Sequence, residues 1–285
     1  MKIKFFSNYD SSENLLNRFK LNYDIYDNEL EFTIADDYNF AVVFNGAVDW
    51  IKPSARIITI IQEPSWSILP QDRFLTGSDY LLIHAPDLFE HTHQLKLGGE
   101  VLTSPAYMFY DDKIQRNFFD VATTIKKTKK VSMIVSALHY NIGNYIKRLN
   151  LLGKILESDI DIDIYGRGFN IPDERYKGEI EFKYEGLMEY EYSIAIENSN
   201  ERNYVSEKFV DCVLCNTIPI YNGAPNIAEI YDQEYFKTID LDSFTIIDDI
   251  KAILLNPANA TNINKDIYFN KYNLYAKLKE VILNK

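Results

Sequence analysis

Cysteine is scarce in this chain: two among 285 residues, which excludes a disulfide framework. Long hydrophobic runs are missing. No apolar stretch approaches the ~20 residues needed to cross a bilayer, and Met1-Lys-Ile-Lys-Phe-Phe-Ser7 is a short strand-like run rather than a signal-peptide core. The expectation is a soluble cytoplasmic protein without a membrane anchor. Basic residues are in deficit: 30 Lys and Arg against 42 Asp and Glu give a formal charge of -12. That balance disfavours nucleic acid and anionic membrane as generic partners. A small anionic ligand needs only a local positive site and stays open. Collagen-like and mucin-like biases are absent too.

What the chain has in quantity is aromatic and branched apolar side chains, with 21 Tyr and 17 Phe in a 46% apolar composition. Packing is the ordinary use of such rings, and sugar or base faces are the functional one. A length of 285 residues suits two domains of ordinary size. In the first half, Ile3 to Phe6, Ala41 to Phe44, Ile57 to Ile61 and Tyr80 to Ile83 are short, continuous and rich in β-branched residues. Strands buried on both faces have that pattern. A helix over Asn14 to Phe19 and further helical stretches separate them, so the alternation predicts an open α/β sheet.

Composition changes between Asp111 and Lys130, and Lys126-Lys-Thr-Lys-Lys130 reads as a solvated linker. The pattern then repeats: Val131 to Val135, a helix around Asn144 to Leu156, Ile160 to Tyr165, Ser193 to Ile196, a helix from Glu207, and Thr217 to Ile220. Leu274, Leu278, Val281 and Ile282 recur at helical spacing and predict a closing amphipathic helix. The expected division is residues 1–125 and 126–264, with the tail helix in 265–285. Two tandem α/β domains predict a ligand cleft between them, at the carboxyl ends of their strands.

The most informative segment runs from Tyr192 to Pro225. It reads as an apolar strand, a polar loop, a helix with Glu207-Lys208 in its first turn, and a second strand ending in a turn. A cation near a helix N-terminus is unfavourable, because the backbone already presents partial positive charge there. Lys208 makes sense if an anion such as a phosphate binds at that end; otherwise Glu207-Lys208 is a surface pair. Ser206 is the better N-cap. With Asn203 as cap, Lys208 would lie a turn deeper. Phe209, Val210, Val213 and Leu214 form the buried face, and Asn216 can close the helix. Glu197-Asn198-Ser199 follows a strand, where side chains either face a ligand or form a turn.

Further candidates lie elsewhere. Glu63 follows the Ile57 strand and precedes Pro64, so it can project into a cleft as a general base or be merely solvated. Arg148, on the helix after the Val131 strand, can reach a phosphate from the same side as Lys208, or be an exposed helix arginine. His139 lies in the intervening loop. Cys212-Val-Leu-Cys215 has no second pair and sits in a helix, so packing explains it better than a metal does. His91-Thr-His93 lacks further ligands. Asp161-Ile-Asp163 fits a strand with acidic residues on one face, and Gly166-Arg-Gly168 is a fragment of a dinucleotide fingerprint.

These residues resemble the signature of family 10 glycosyltransferases, the α-1,3/1,4-fucosyltransferases. That signature runs Phe-x-Leu-x-Phe-Glu-Asn-Ser, a short gap, Tyr-Val/Ile-Thr-Glu-Lys, then Gly/Thr-x-Pro-Val/Ile and a Gly-x-Pro turn. Here it appears as Tyr192-Ser-Ile-Ala-Ile-Glu197-Asn198-Ser199, Tyr204-Val-Ser-Glu207-Lys208, Thr217-Ile-Pro219-Ile and Gly223-Ala-Pro225. Weaker echoes are Ser136, Arg148 and Ile162-Asp-Ile-Tyr-Gly166, with Gln62-Glu63-Pro64-Ser65 and Pro105-Ala-Tyr-Met-Phe-Tyr110 in the first half. Ser206 replaces the family's Thr, and Pro64 stands where the family has Ser.

The resemblance implies two facing Rossmann-like domains of the GT-B class. It implies a metal-independent, inverting transfer of L-fucose from GDP-β-L-fucose to an acceptor hydroxyl in α-1,3-type linkage, with no cofactor. Arg148 and Lys208 would bind the diphosphate, Glu207 and Tyr204 the nucleoside or sugar, and Asn198 would line the donor pocket. Glu63 would be the base. A glycan or lipid-linked oligosaccharide is the expected acceptor, in cytoplasmic assembly of a bacterial surface polysaccharide or lipopolysaccharide, with peripheral contact at the inner membrane left open. Two alternatives stand beside this reading: another nucleotide-sugar donor, or a non-catalytic saccharide- or nucleotide-binding protein.

Overall fold

The computed structural model describes residues 1–23, 28–107, 122, 124–256, 263, 265 and 267–283, with only the backbone at 268 and 269. The chain divides into two compact units. The first contains Met1–Arg116, Glu201–Ser206 and Asp266–Lys285; the second contains Asn117–Asn200 and Glu207–Lys265. Each is built on a six-stranded, all-parallel sheet.

In the first unit the strands are β1 (Lys2–Ser7), β2 (Glu31–Phe32), β3 (Phe40–Phe44), β4 (Arg56–Ile60), β5 (Tyr80–Ile83) and β6 (Glu100–Thr103). Their order across the sheet is β2-β1-β3-β4-β5-β6. The four expected strands are present, and every residue of β3 and β5 is buried. Helices α1 (Ser12–Asn22), α2 (Asp72–Gly77) and α3 (Pro86–His93) connect them. Ser11 caps α1 by accepting from Asn14 N at 3.2 Å. Aromatic side chains dominate one face: Phe5 meets Phe19 and Phe44 edge-on, with centroids 5.1 and 5.5 Å apart. The predicted tail helix is real and belongs to this unit, where Tyr275 lies against Phe19 and Phe32.

The second unit holds β7 (Lys129–Ile134), β8 (Asp163–Tyr165), β9 (Tyr176–Gly178), β10 (Tyr190–Ile196), β11 (Ile218–Asn222) and β12 (Lys237–Thr238), ordered β12-β11-β10-β7-β8-β9. Helices α4 (Tyr145–Leu156), α5 (Glu207–Leu214), α6 (Ile227–Ile230) and α7 (Ile246–Leu254) accompany them, and α8 (Leu274–Leu283) is the tail helix. Chain order runs outward from β7 through β8 to β9 on one side, and through β10, β11 and β12 on the other. The sheet therefore changes direction between β7 and β10. At such a switch point the connections leave to opposite faces and open a crevice beyond the carboxyl ends of the strands.

Some expectations need correction. Lys126 to Lys130 is not a solvated linker: Lys129 and Lys130 begin β7, and Lys127 Nζ donates to Met188 O, Cys215 O and Thr217 Oγ1 at 2.8, 2.8 and 3.0 Å. Burial lowers the Lys127 ammonium to about 8. The strand expected over Ile160 to Tyr165 starts only at Asp163. Residues 201–206 fall in the first unit, although the expected division placed them in the second. The composition change from Asp111 and the end of the Pro105 to Tyr110 segment lie outside the described residues.

Candidate functional site

A cavity of about 410 Å³ opens at the switch point of the second unit. That volume is within the usual range for small-ligand sites. Its walls are the ends of β7 (Ile134 to Ser136), β8 (Gly166, Arg167) and β10 (Ser193 to Ile196), with Arg148 from α4 and Glu207, Lys208 and Asp211 from α5. Gly166 shows why the backbone can approach so closely there: a Cβ on it would lie 1.6 Å from Val135 O. That glycine belonged to a fragment with little weight in the sequence, yet no other residue fits.

Helix α5 begins at Glu207, which places Lys208 in its first turn. Asn203 has φ 61°, in the left-handed region, so a helix starting from an Asn203 cap is excluded. Asn216 has φ 56° and ends the helix, with Thr217 N donating to Cys212 O at 2.9 Å. Cys212 and Cys215 are both buried free thiols.

Charge alternates through the cavity wall. Glu207 Oε1 accepts from Lys208 Nζ and Lys183 Nζ, each at 3.2 Å. Lys183 Nζ also lies 3.1 Å from Asp211 Oδ2, and Lys208 Nζ lies 3.9 Å from Glu197 Oε2. Burial opposes ionisation of Glu207, but the two ammonium groups win and hold its carboxyl well below the usual carboxylate range. The Asp211 carboxyl goes the other way: burial pushes it up to about 6, with the nearby Glu207 carboxylate adding to the rise, and the ammonium groups of Lys183 and Lys208 offset only part of it. Burial also works against the charge on Lys183, and its two carboxylate partners more than restore it.

Two polar atoms in this wall are buried without a hydrogen-bond partner: Arg148 Nε and Glu207 Oε2. Leaving such atoms unpaired costs roughly 1–3 kcal/mol each, so both are places where a ligand atom would be stabilising. Arg148 is held by Asn198, whose Oδ1 accepts from Arg148 Nη1 at 3.3 Å, and it stacks over Tyr145. Burial lowers its pKa without threatening its charge.

The structure thus brings Arg148, Glu207 and Lys208 to one cavity, with Asn198 behind Arg148 rather than in the cavity lining. Tyr204 belongs to the first unit, where it is buried and its ring lies 5.1 Å from that of His84. Glu63 is in the first unit too, half-buried just beyond β4. Lys183 and Asp211 were not foreseen. Lys183 is on a short 3-10 turn (Lys183–Gly186) with no periodic signal, and Asp211 is an isolated charge in an apolar helix face. His139 is exposed, with its ring 3.4 Å from Ala137 O. Among the described residues no group of three or more His, Cys, Asp or Glu could hold a metal, and no helix is long and apolar enough to cross a membrane.

Known proteins are similar to this chain in sequence and in fold. A fucosyltransferase-like protein of Arabidopsis thaliana is 31% identical over 145 residues, covering 49% of this chain and 27% of the relative. Glycoprotein 3-alpha-L-fucosyltransferase A of Drosophila melanogaster is 34% identical over 144 residues, covering 50% and 27%. The chain thus spans about a quarter of the length of these curated relatives. A crystal structure of an alpha1,3-fucosyltransferase superposes with a TM-score of 0.59 at 17% identity, covering 100% of this chain and 90% of that one. Another, with GDP-fucose, gives 0.55 at 17% identity, covering 92% and 80%. The fold is GT-B, with two parallel-sheet α/β units. The model of the C-terminal part of glycosyltransferase family 10 (fucosyltransferase) matches residues 124–277, more than half of the chain and nearly all of its second unit. The chain belongs to glycosyltransferase family 10, the fucosyltransferases.

Proposed function

We propose that this protein transfers L-fucose from GDP-β-L-fucose to a hydroxyl of an acceptor glycan, with inversion and in α-1,3-type linkage. The observation that carries the reading is the pair of unpartnered buried atoms, Arg148 Nε and Glu207 Oε2, in a switch-point cavity that also presents Lys208. The guanidinium and ammonium suit a diphosphate, and a carboxylate oxygen suits a ribose or sugar hydroxyl. An alpha1,3-fucosyltransferase of the same fold has been solved with GDP-fucose.

In this mechanism Glu63 takes the proton of the acceptor hydroxyl as its oxygen attacks the anomeric carbon. The bond from that carbon to the GDP oxygen breaks, and GDP leaves from the opposite face. Arg148, Lys208 and the amides at the start of α5 stabilise the charge building on the diphosphate, the electrostatic contribution that metals supply in other transferases. Asn198 orients Arg148 for the donor, and Tyr204 is the further residue assigned to the nucleoside or sugar. The first unit binds the acceptor, a glycan or lipid-linked oligosaccharide of bacterial surface polysaccharide or lipopolysaccharide synthesis, in the cytoplasm or peripherally at the inner membrane.

The test is GDP release from GDP-fucose in the presence of candidate acceptor glycans, with Glu63→Gln as control. Turnover by the wild type, undiminished by EDTA, with Glu63→Gln inactive but still binding GDP, is the expected result. A wild-type protein that binds no GDP-sugar in a thermal-shift panel would sink the proposal.

A further inference from the structure

The loop carrying Glu63 is held from both sides, and one of its anchors comes from a distant part of the sequence. On one side, Gln62 N donates to Asn45 Oδ1 at 2.7 Å, Gln62 Nε2 to Tyr107 O at 2.6 Å, and Tyr9 OH donates to Gln62 Oε1 at 2.7 Å. On the other side stands Glu201. Its two carboxylate oxygens each lie 3.0 Å from Ser65 N, and Oε1 also accepts from Ser65 Oγ at 3.1 Å. His84 Nε2, from the residue just beyond β5, lies 2.9 Å from Glu201 Oε2. A carboxylate only accepts, so that nitrogen carries the proton. His84 Nδ1 is buried with no hydrogen-bond partner, which suits the same tautomer, since an unpaired lone pair there avoids a buried N–H without an acceptor. His93 Nε2 bonds Ser65 O at 3.0 Å from the far side.

The segment bearing Glu201 is itself shaped for this task. Asn203 Nδ2 donates to His84 O at 2.9 Å, and Asn203 adopts φ 61° to turn the chain back toward α5. Residues 201–206 therefore pack as part of the first unit although both chain neighbours of the segment, Asn200 and Glu207, belong to the second. Glu201 is 5% exposed and the His84 side chain 0%. A carboxylate buried so deeply is costly unless its oxygens are satisfied, and Ser65 of the Glu63 loop and His84 beyond the neighbouring strand are among the groups that satisfy it.

We infer that Glu201 is a positioning residue for the transfer reaction: its carboxylate clamps Ser65 against His84 and so fixes the backbone from which Glu63 projects. The inference rests on the reading of Glu63 as the base. It predicts that Glu201 acts on turnover far more than on donor affinity, because its carboxylate holds Ser65 and His84 on the Glu63 side.

Glu201→Ala and Glu201→Gln are compared with the wild type in GDP release from GDP-fucose with the best acceptor of the panel, in GDP binding by calorimetry, and in hydrogen exchange at the Ser65 amide. For Glu201→Ala, kcat falls by about 10- to 100-fold, the order expected for a misplaced catalytic group. GDP affinity and the KM for donor stay within about twofold of wild type, and exchange at Ser65 accelerates. Glu201→Gln recovers most of the lost kcat, because an amide oxygen can still accept from Ser65 N–H. Should Glu201→Ala not fold, Glu201→Asp withdraws the carboxylate by one methylene and takes its place. Wild-type kcat in the truncated variant, a loss confined to GDP affinity, or a Ser65 amide that exchanges freely in the wild type would overturn the inference. A fully active Glu63→Gln would instead sink the base assignment, and the Ser65 exchange result would still report on the clamp.

Discussion

Lys183 Nζ lies 3.2 Å from Glu207 Oε1, joining a residue of a short 3-10 turn to the first residue of the helix that carries the family's Glu-Lys pair. With its second contact to Asp211 at 3.1 Å, Lys183 orients both acidic groups of the cavity wall. Its removal leaves Lys208 as the ammonium on Glu207 and takes from Asp211 its 3.1 Å ammonium contact. Lys183→Ala is expected to weaken GDP binding about tenfold, or roughly 1.4 kcal/mol. Isothermal calorimetry checks this, and an unchanged Kd would show that Lys183 does not organise the site.

The arginine makes a sharper geometric demand. Arg148 Nε is buried and unpartnered, while Nη1 is held by Asn198. Lysine would keep the charge but lose the planar fork, so Arg148→Lys is not conservative here. It should weaken GDP binding by at least about tenfold. Asn198→Ala should cost less, since it removes only the group that steadies Nη1. If both variants bound GDP as the wild type does, the diphosphate would have to sit elsewhere.

Asp211 gives a stability prediction with a definite sign. Its carboxyl is raised to about 6 by burial, so the folded protein holds a proton that the unfolded chain has already released. Stability therefore falls as pH rises through the window from about 4 to about 6, by roughly 3 kcal/mol in all. Glu207, with its depressed carboxyl, acts oppositely: its contribution is present above the ordinary carboxylate range and is lost as pH falls below it. Asp211→Asn removes the first effect alone. In urea denaturation, the stability of Asp211→Asn relative to wild type should grow between about pH 4 and about pH 7. A difference independent of pH would contradict the buried, protonated state.

The thiols are expected to be inert. Burial pushes Cys212 up to about 12 and Cys215 well above the ordinary thiol range, and each is 1% exposed. A thiol without appreciable thiolate or access is a poor nucleophile. A disulfide-exchange reagent should leave both unmodified in the native protein and modify both after unfolding in guanidinium. Rapid reaction of either in the folded state would mean that α5 opens.

Much of this arrangement was legible beforehand, for reasons that differ by element. The runs Ile3 to Phe6, Ala41 to Phe44 and Tyr80 to Ile83 are apolar without alternation, and only strands covered on both faces use that pattern economically. The edge strands β2, β9 and β12 are two or three residues long and carry no such run. Lys127 misled because a lysine run looks solvated, whereas this ammonium finds two carbonyls and a hydroxyl at the ends of other elements. Those acceptors are 61 to 90 positions away, beyond any local pattern.

The sequence by itself determined the parts whose physics is local. Apolar patterning specified the central strands and the helices at 145–156, 207–214 and 274–283, the polar break before Glu207 specified where α5 begins, and the Tyr192 to Pro225 signature specified the family. Tertiary structure alone decided which charges meet. It placed Lys183 against Glu207 and Asp211, turned Asn198 toward Arg148, and folded Glu201 onto Ser65 and His84. The reason is distance along the chain. A buried charge must find partners, and here the partners are supplied by strand ends that only the order of the sheet brings together.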